Sequence, residues 1–181
     1  MMERLKRAAL LGALIDKLRR KGSWCGETHI QKAVLFLQTL VKVPLGYQYI
    51  LYKHGPYSFE LRDELTSFRA DDLLSLEPKS PYGPRIALTN RAETLKRHYS
   101  KTLAQYDDRI DFIADKLGNK PVIELERLAT ALFITLGHPD WPLEHRAREI
   151  SEIKPHIDKA VAAEAVEQIE QMKSDVRANL F

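Results

Sequence analysis

The chain has 181 residues, 44% of them hydrophobic and 29% charged, a balance that supports a buried core and excludes a disordered chain. Its net charge of +3 permits nucleic acid as a partner but falls far short of a dense basic footprint. One cysteine, Cys25, excludes an internal disulfide, and no run reaches the roughly 20 apolar residues needed to span a bilayer, so a cytoplasmic protein without membrane attachment is expected.

Leu5, Ala8, Leu11, Ile15 and Leu18 recur at helical steps and predict a helix from Met1 to Arg20 with one apolar stripe, ended by Gly22. The apolar run Ala8 to Ile15 runs directly into Asp16, Lys17, Arg19, Arg20 and Lys21, with no small-residue cleavage site, so it does not read as a signal peptide. That basic cluster sits at a helix C-terminus, where the macrodipole favours cations. Thr28 and Gln31 have the spacing of a capping box, and Ile30, Ala33, Val34, Phe36, Leu37 and Leu40 make the next helix the most apolar of the chain, closed by Pro44 and Gly46. Tyr47 to Tyr52 reads as a short strand broken by Gly55-Pro56. Ser58 is placed to cap a helix whose buried edge is Leu61, Leu65 and Phe68.

Leu73 to Glu77 and Arg85 to Thr89, joined by the turn-rich Pro78 to Pro84, predict a hairpin. Asn90 and Glu93 suggest a second capping box opening one long helix that Gly118 ends. Its seam of Ala92, Leu95, Tyr99, Tyr106, Ile110, Ile113 and Leu117 suits packing within the chain, or a homodimer through helix 90–117. Further helices follow from Pro121 to Leu136, from Leu143 to Ile153 and from Pro155 onward. The expected fold is mainly α: a winged-helix-like N-terminal core over 1–90 with a wing hairpin at about 73–89, extended by a C-terminal helical bundle over 90–181. No composition break divides the 181 residues, which read as a single domain.

The stretches THIQKAVLFLQ and YQYILYKHGPYSFELRDEL resemble the Panacea-type domain of SocA-like antitoxins and the related YwgA-like proteins. The residues that carry the resemblance are Gln31, Lys32, Phe36, Leu37, Gln38, Tyr52, Gly55, Pro56, Tyr57, Ser58 and Leu61, with weaker echoes at Leu125 to Phe133 and at Ile153-Lys154-Pro155. The resemblance implies a winged-helix-like domain that acts through protein contacts, in some relatives as the neutralising partner of a toxin, and it brings no catalytic residues.

The residues themselves point the same way. Cys25 and His29 lie four apart, but Cys25 precedes Gly26 outside the helix, and no third ligand or orienting acid stands nearby. His138, Asp140 and His145 form an equally loose group. No enzyme, cofactor or metal is therefore expected. On the helix that a winged-helix protein places in the major groove, Asp63, Glu64, Asp71 and Asp72 outweigh Arg62 and Arg69, which disfavours groove reading. Lys79, Arg85, Arg91, Lys96 and Arg97 are the candidate phosphate contacts of the alternative, a DNA-binding transcription regulator. Tyr47, Tyr49, Tyr52 and Tyr57 suit a stacking platform for single strands, or core and interface. The favoured expectation is an interaction module binding a protein partner through Tyr52, Lys53, His54, Tyr57 and Arg62.

Overall fold

Two helices with long apolar runs form the centre of the molecule. In the computed structural model, which describes residues 2–81 and 83–180, α1 (Arg4–Arg20) is buried at every position from Ala8 to Ile15 and α2 (Glu27–Thr39) at every position from His29 to Leu37. Met1 and Tyr82, which fall in the expected first helix and wing tip, and Phe181 lie outside the described residues. The single stripe expected on α1 is thus corrected, because a helix enclosed on several sides must be apolar around most of its circumference. Gly22 at φ +92° ends α1 as expected, with Ser23 N–H donating back to the Leu18 carbonyl at 3.0 Å. The capping box at Thr28 does not form: Gly26 is the N-cap of α2, and no side chain bonds there.

The segment after α2 also departs from expectation. β1 (Ile50–Tyr52) is shorter than the strand read from the sequence, and Gly55-Pro56 continues the ladder instead of breaking it, forming β2 (Gly55–Tyr57) antiparallel to β1 with Tyr52 opposite Gly55. Gly55 adopts φ +82°, a conformation costly for any residue with a Cβ, so the chain reverses at Lys53-His54 and returns at once. α3 (Phe59–Ala70) then starts as predicted, with Ser58 Oγ accepting from Leu61 N–H at 3.2 Å. The second hairpin pairs β3 (Leu74–Glu77) with β4 (Arg85–Leu88), placing Leu74 opposite Leu88 and Glu77 opposite Arg85.

The long helix expected from Asn90 to Leu117 is two: α4 (Asn90–His98) and α5 (Ser100–Leu117), separated by Tyr99 at φ −98°, ψ 26°. Its cap is Thr89, whose Oγ1 accepts from Ala92 N–H at 3.2 Å, and not Asn90. The bend lets both helices follow α1, to which Lys96–Asp16 at 3.2 Å and Lys17–Asp107 at 2.7 Å tie them. Ile110, Ile113, Ala114 and Leu117 are buried, and α5 lies against α1 and α2, so this apolar seam is satisfied within the chain.

α6 (Val122–Gly137), α7 (Leu143–Ile153) and α8 (Lys159–Asn179) pack on one another, and α6 also packs on α2 and β2. α8 begins later than the predicted Pro155, because Asp158 Oδ1 caps Ala160 N–H at 2.8 Å while Pro155 lies in the preceding turn. The protein is therefore mainly helical with two small hairpins, and a single apolar cluster from Ala8 to Val176 joins its two halves. Among the described residues no helix is long and apolar enough to cross a membrane.

Candidate functional site

Polar side chains on the otherwise apolar α2 fix the backbone that follows it. Gln31 and Gln38 lie seven residues apart, about two turns, and so project from the same side. Gln31 is fully buried; its Nε2 donates to the Ser58 carbonyl at 2.8 Å and its Oε1 accepts from Ser58 N–H at 2.9 Å. Gln38 makes the same two-bond clamp on Tyr47, both at 2.8 Å. Each amide stands in for a strand neighbour, satisfying buried groups that the short hairpin leaves unpaired. Between them Lys32, 1% exposed, donates from Nζ to the Pro56 carbonyl at 2.8 Å, and burial lowers its pKa to about 8 despite the opposing charge of Glu126.

Other elements complete the mount. Tyr49 hydroxyl donates to the Gln31 carbonyl at 3.1 Å, and Tyr47 hydroxyl bonds Glu64, which Arg7 grips at 2.5 Å. Glu64, one of the carboxylates read as groove-facing, is thus turned inward, and its partnership raises the pKa of Arg7. On the far side a Cβ at Gly55 would stand 3.1 Å from Thr130 Oγ1 and 3.4 Å from the Glu126 carbonyl, so only glycine lets β2 approach α6 this closely. Lys154, after α7, donates to the Tyr52 and Lys53 carbonyls at 2.9 and 2.6 Å, and His54 Nδ1 lies 3.5 Å from Glu126 Oε1.

What this mount presents is aromatic. Tyr52, Tyr57 and Phe59 form a triangle of rings with centroids 5.9, 5.6 and 5.1 Å apart, and the Arg62 guanidinium lies over Phe59 at 5.0 Å. Tyr52 is 54% exposed and Phe59 39%, with Ile50 at 51% beside them. Tyr57 hydroxyl donates to Glu27 at 2.6 Å, and burial, reinforced by this contact, pushes its pKa up to about 12. Of the five residues predicted for a partner face, Tyr52, Tyr57 and Arg62 come together here, while Lys53 and His54 occupy the exposed turn at its edge. Phe59, missed in the sequence, completes the triangle; it is the first residue of the helix capped by Ser58 and lies off the buried edge of Leu61, Leu65 and Phe68. Tyr47 and Tyr49 are spent on internal bonds, so a four-tyrosine platform does not form.

The remaining candidates are dispersed. Lys79 and Arg85 stack on Trp24 at 5.6 and 5.4 Å, near the second hairpin. Lys96 is ion-paired with Asp16 and Glu93, Arg97 donates to Thr94, and Arg91 lies apart with Arg4 and Asp71 around another hollow. Cys25 is buried, its thiol facing the Ile15 carbonyl at 3.7 Å, and burial raises its pKa, which suits a core residue and not a nucleophile. His138 and His145 sandwich Trp141 at 3.6 and 4.2 Å, so the two imidazoles face opposite sides of an indole. Among the described residues no group of His, Cys, Asp and Glu is arranged to hold a metal ion. In comparisons with known proteins, no family model matches this chain and no curated protein matches it.

Proposed function

We propose that this protein is a non-enzymatic interaction module that binds a protein partner through the aromatic face of Tyr52, Tyr57, Phe59 and Arg62, with Lys53 and His54 at its rim. The observation that supports this reading is an exposed aromatic triangle with a stacked arginine, carried on a backbone locked by buried polar bonds. Tyrosine and arginine dominate binding energy at protein interfaces, and anchors held rigidly before binding lose little entropy on docking. The resemblance to Panacea-type and YwgA-like proteins favours the same class, with an antitoxin-like or phage-defence role as its finer form. The motif residues Gln31, Lys32, Gln38, Gly55, Pro56 and Ser58 all serve to hold this face. A DNA-binding winged-helix regulator is the weaker reading: Asp63 pairs with Arg62 on α3, and the five cations proposed for phosphate contact spread over separate surfaces.

The test begins with affinity purification from the native host, with the products of neighbouring genes as first candidates. Tyr52→Ala with Arg62→Ala should weaken the captured partner at least tenfold while the melting temperature stays within a few degrees, because both side chains are outside the core. Unchanged affinity in the double variant overturns the assignment of this face. A salt-sensitive mobility shift with bulk DNA would instead favour the regulator.

A further inference from the structure

A larger and a smaller cleft lie beside the mount of the aromatic face. The larger, of about 830 Å³, is bounded by the first turn of α2, by α3 and by β3–β4, with Trp24, Leu65, Leu76 and Ile86 among its apolar walls. The smaller, of about 480 Å³, lies between the Lys53-His54 turn, the first turns of α6 and the chain that follows α7. Both volumes are in the range of small-molecule sites. Charge tells them apart. The larger has Arg62 and Arg69 beside Glu27, and Arg62 already pairs with Asp63 at 2.8 Å. The smaller gathers Lys53, Arg127 and Lys154 around one carboxylate, Glu126.

None of these three cations is neutralised within the chain. Among the described residues Lys53, Arg127 and Lys154 make no ion pair, whereas Arg4 and Lys96, which border two other hollows, pair with Asp71 and with Asp16 and Glu93. Arg127 is half-buried, yet its guanidinium, with five donors and a permanent charge, has no acceptor among the described residues. Lys154 gives two of its three donors to the Tyr52 and Lys53 carbonyls and keeps one. Glu126 Oε1 is engaged at 3.5 Å by His54 Nδ1. Under the floor lies one more amine: a Cβ on Gly55, which lines the cleft, would stand 3.8 Å from Lys32 Cε, and with a pKa of about 8 Lys32 holds its proton at pH 7.

Like charges gathered in a recess with low-dielectric walls raise the local potential and favour an anion that relieves it. The size of the imbalance sets the class of anion. Three cations against one carboxylate leave two positive charges over. A phosphate monoester, at about −1.5 to −2 near pH 7, matches that surplus, and a carboxylate covers only half of it. Ile123, 58% exposed, and Ile153, 37% exposed, give the cleft an apolar rim. We infer that this cleft binds a phosphate monoester with an apolar body, its phosphoryl group on Lys53, Arg127 and the remaining donor of Lys154, its body against Ile123 and Ile153. The inference does not depend on the partner face. Its ligand is either a free ester or the phosphorylated side chain of a peptide.

Calorimetric titration of the intact chain at fixed ionic strength with phenyl phosphate and octyl phosphate, beside benzoate, octanoate and inorganic phosphate, tests this directly. At least one ester should bind, and bind at least tenfold more tightly than the carboxylate of the same body and than inorganic phosphate. Arg127→Gln should weaken that ester at least tenfold while the melting temperature stays within a few degrees, because the guanidinium holds nothing in the fold. Glu126→Gln removes the opposing charge and should tighten binding several-fold; a merely structural role for these side chains would not give effects of opposite sign. A short peptide with one phosphotyrosine identifies the source: tighter binding of the phosphopeptide than of either ester assigns a phosphorylated chain, and the reverse assigns a small molecule. No binding by either ester, equal binding of ester and carboxylate or of ester and inorganic phosphate, or unchanged affinity in Arg127→Gln overturns the inference. Arg127 and Glu126 lie outside the partner face, so these outcomes separate from those of the Tyr52 and Arg62 double variant.

Discussion

The two hairpins of this protein are built from strands of similar length and held in opposite ways. β1–β2 has Gly55 and Pro56 buried and is fastened by side chains reaching out of the core: Gln31, Gln38 and Lys32 from α2, Tyr49 from within. In β3, Ser75, Leu76 and Glu77 are all exposed, and the hairpin is attached along β4 through main-chain bonds such as Ile86 N–H to the Cys25 carbonyl at 2.8 Å and through Arg19 to the Ile86 carbonyl at 3.0 Å. The difference teaches where rigidity has been placed. Gln31, Lys32 and Gln38 are costly on an apolar helix unless satisfied, and their bonds fix the backbone at Ser58, Pro56 and Tyr47, on either side of the turn that carries Tyr52. The second hairpin bears no comparable investment, which suits the rim of a cleft more than an anchor.

The comparison is broken most directly at the clamp. Gln31→Leu keeps the volume and the apolar character of α2 but leaves the buried Ser58 N–H without a partner, while the Ser58 carbonyl keeps only the Arg62 N–H at 3.2 Å. An orphaned buried group costs about 1–3 kcal/mol, so urea denaturation should report a loss of about 2 kcal/mol. A loss below about 1 kcal/mol would show that the first hairpin does not depend on this bond pair.

Lys32 sharpens the same contrast through pH. Its folded pKa of about 8 lies below the ordinary lysine value of 10.5, so the folded state resists the proton that the unfolded chain still binds. Below pH 8 the full penalty is present; between pH 8 and 10.5 the folded state has released the proton, the unfolded state has not, and stability rises with pH. Titration of other groups, among them the buried Cys25 thiol with its raised pKa, cancels when the parent is compared with Lys32→Met. Between pH 7 and 9.5 the parent should gain about 2 kcal/mol relative to that variant, read as the shift in urea midpoint. Parallel midpoints at the two pH values would mean that Lys32 titrates as an exposed lysine does.

How much of this was legible follows from which forces act locally. The Ser58 cap, the Gly22 stop and the order of helices and hairpin were readable because neighbouring residues decide them. The break at Tyr99 was not: the spacing of apolar residues continues through it, and only the need for α4 and α5 both to follow α1 bends the chain. Gly55-Pro56 read as a stop because those residues usually are, whereas the approach to Thr130, over seventy residues away, makes the pair part of a ladder. Tyr52, Tyr57 and Arg62 were found as a face, while Phe59 and the open start of α2 were missed. The one available signal was negative: an apolar helix preceded by glycine, with glutamine at two positions of its buried side.

The smallest effect belongs to the second hairpin. Leu76 is 40% exposed at the rim of the larger cleft and carries none of the polar fastening seen on β1–β2, so Leu76→Ser should change stability by no more than about 0.5 kcal/mol. The same side chain lines that cleft, so what it loses is a partly solvated apolar contact and not a buried one. That contrast separates an exposed rim from a buried clamp: Leu76 can change with little cost to the fold, whereas Gln31 matters to the fold without reaching the surface. A stability loss at Leu76 equal to that at Gln31 would erase the distinction, because both hairpins would then be structural to the same degree.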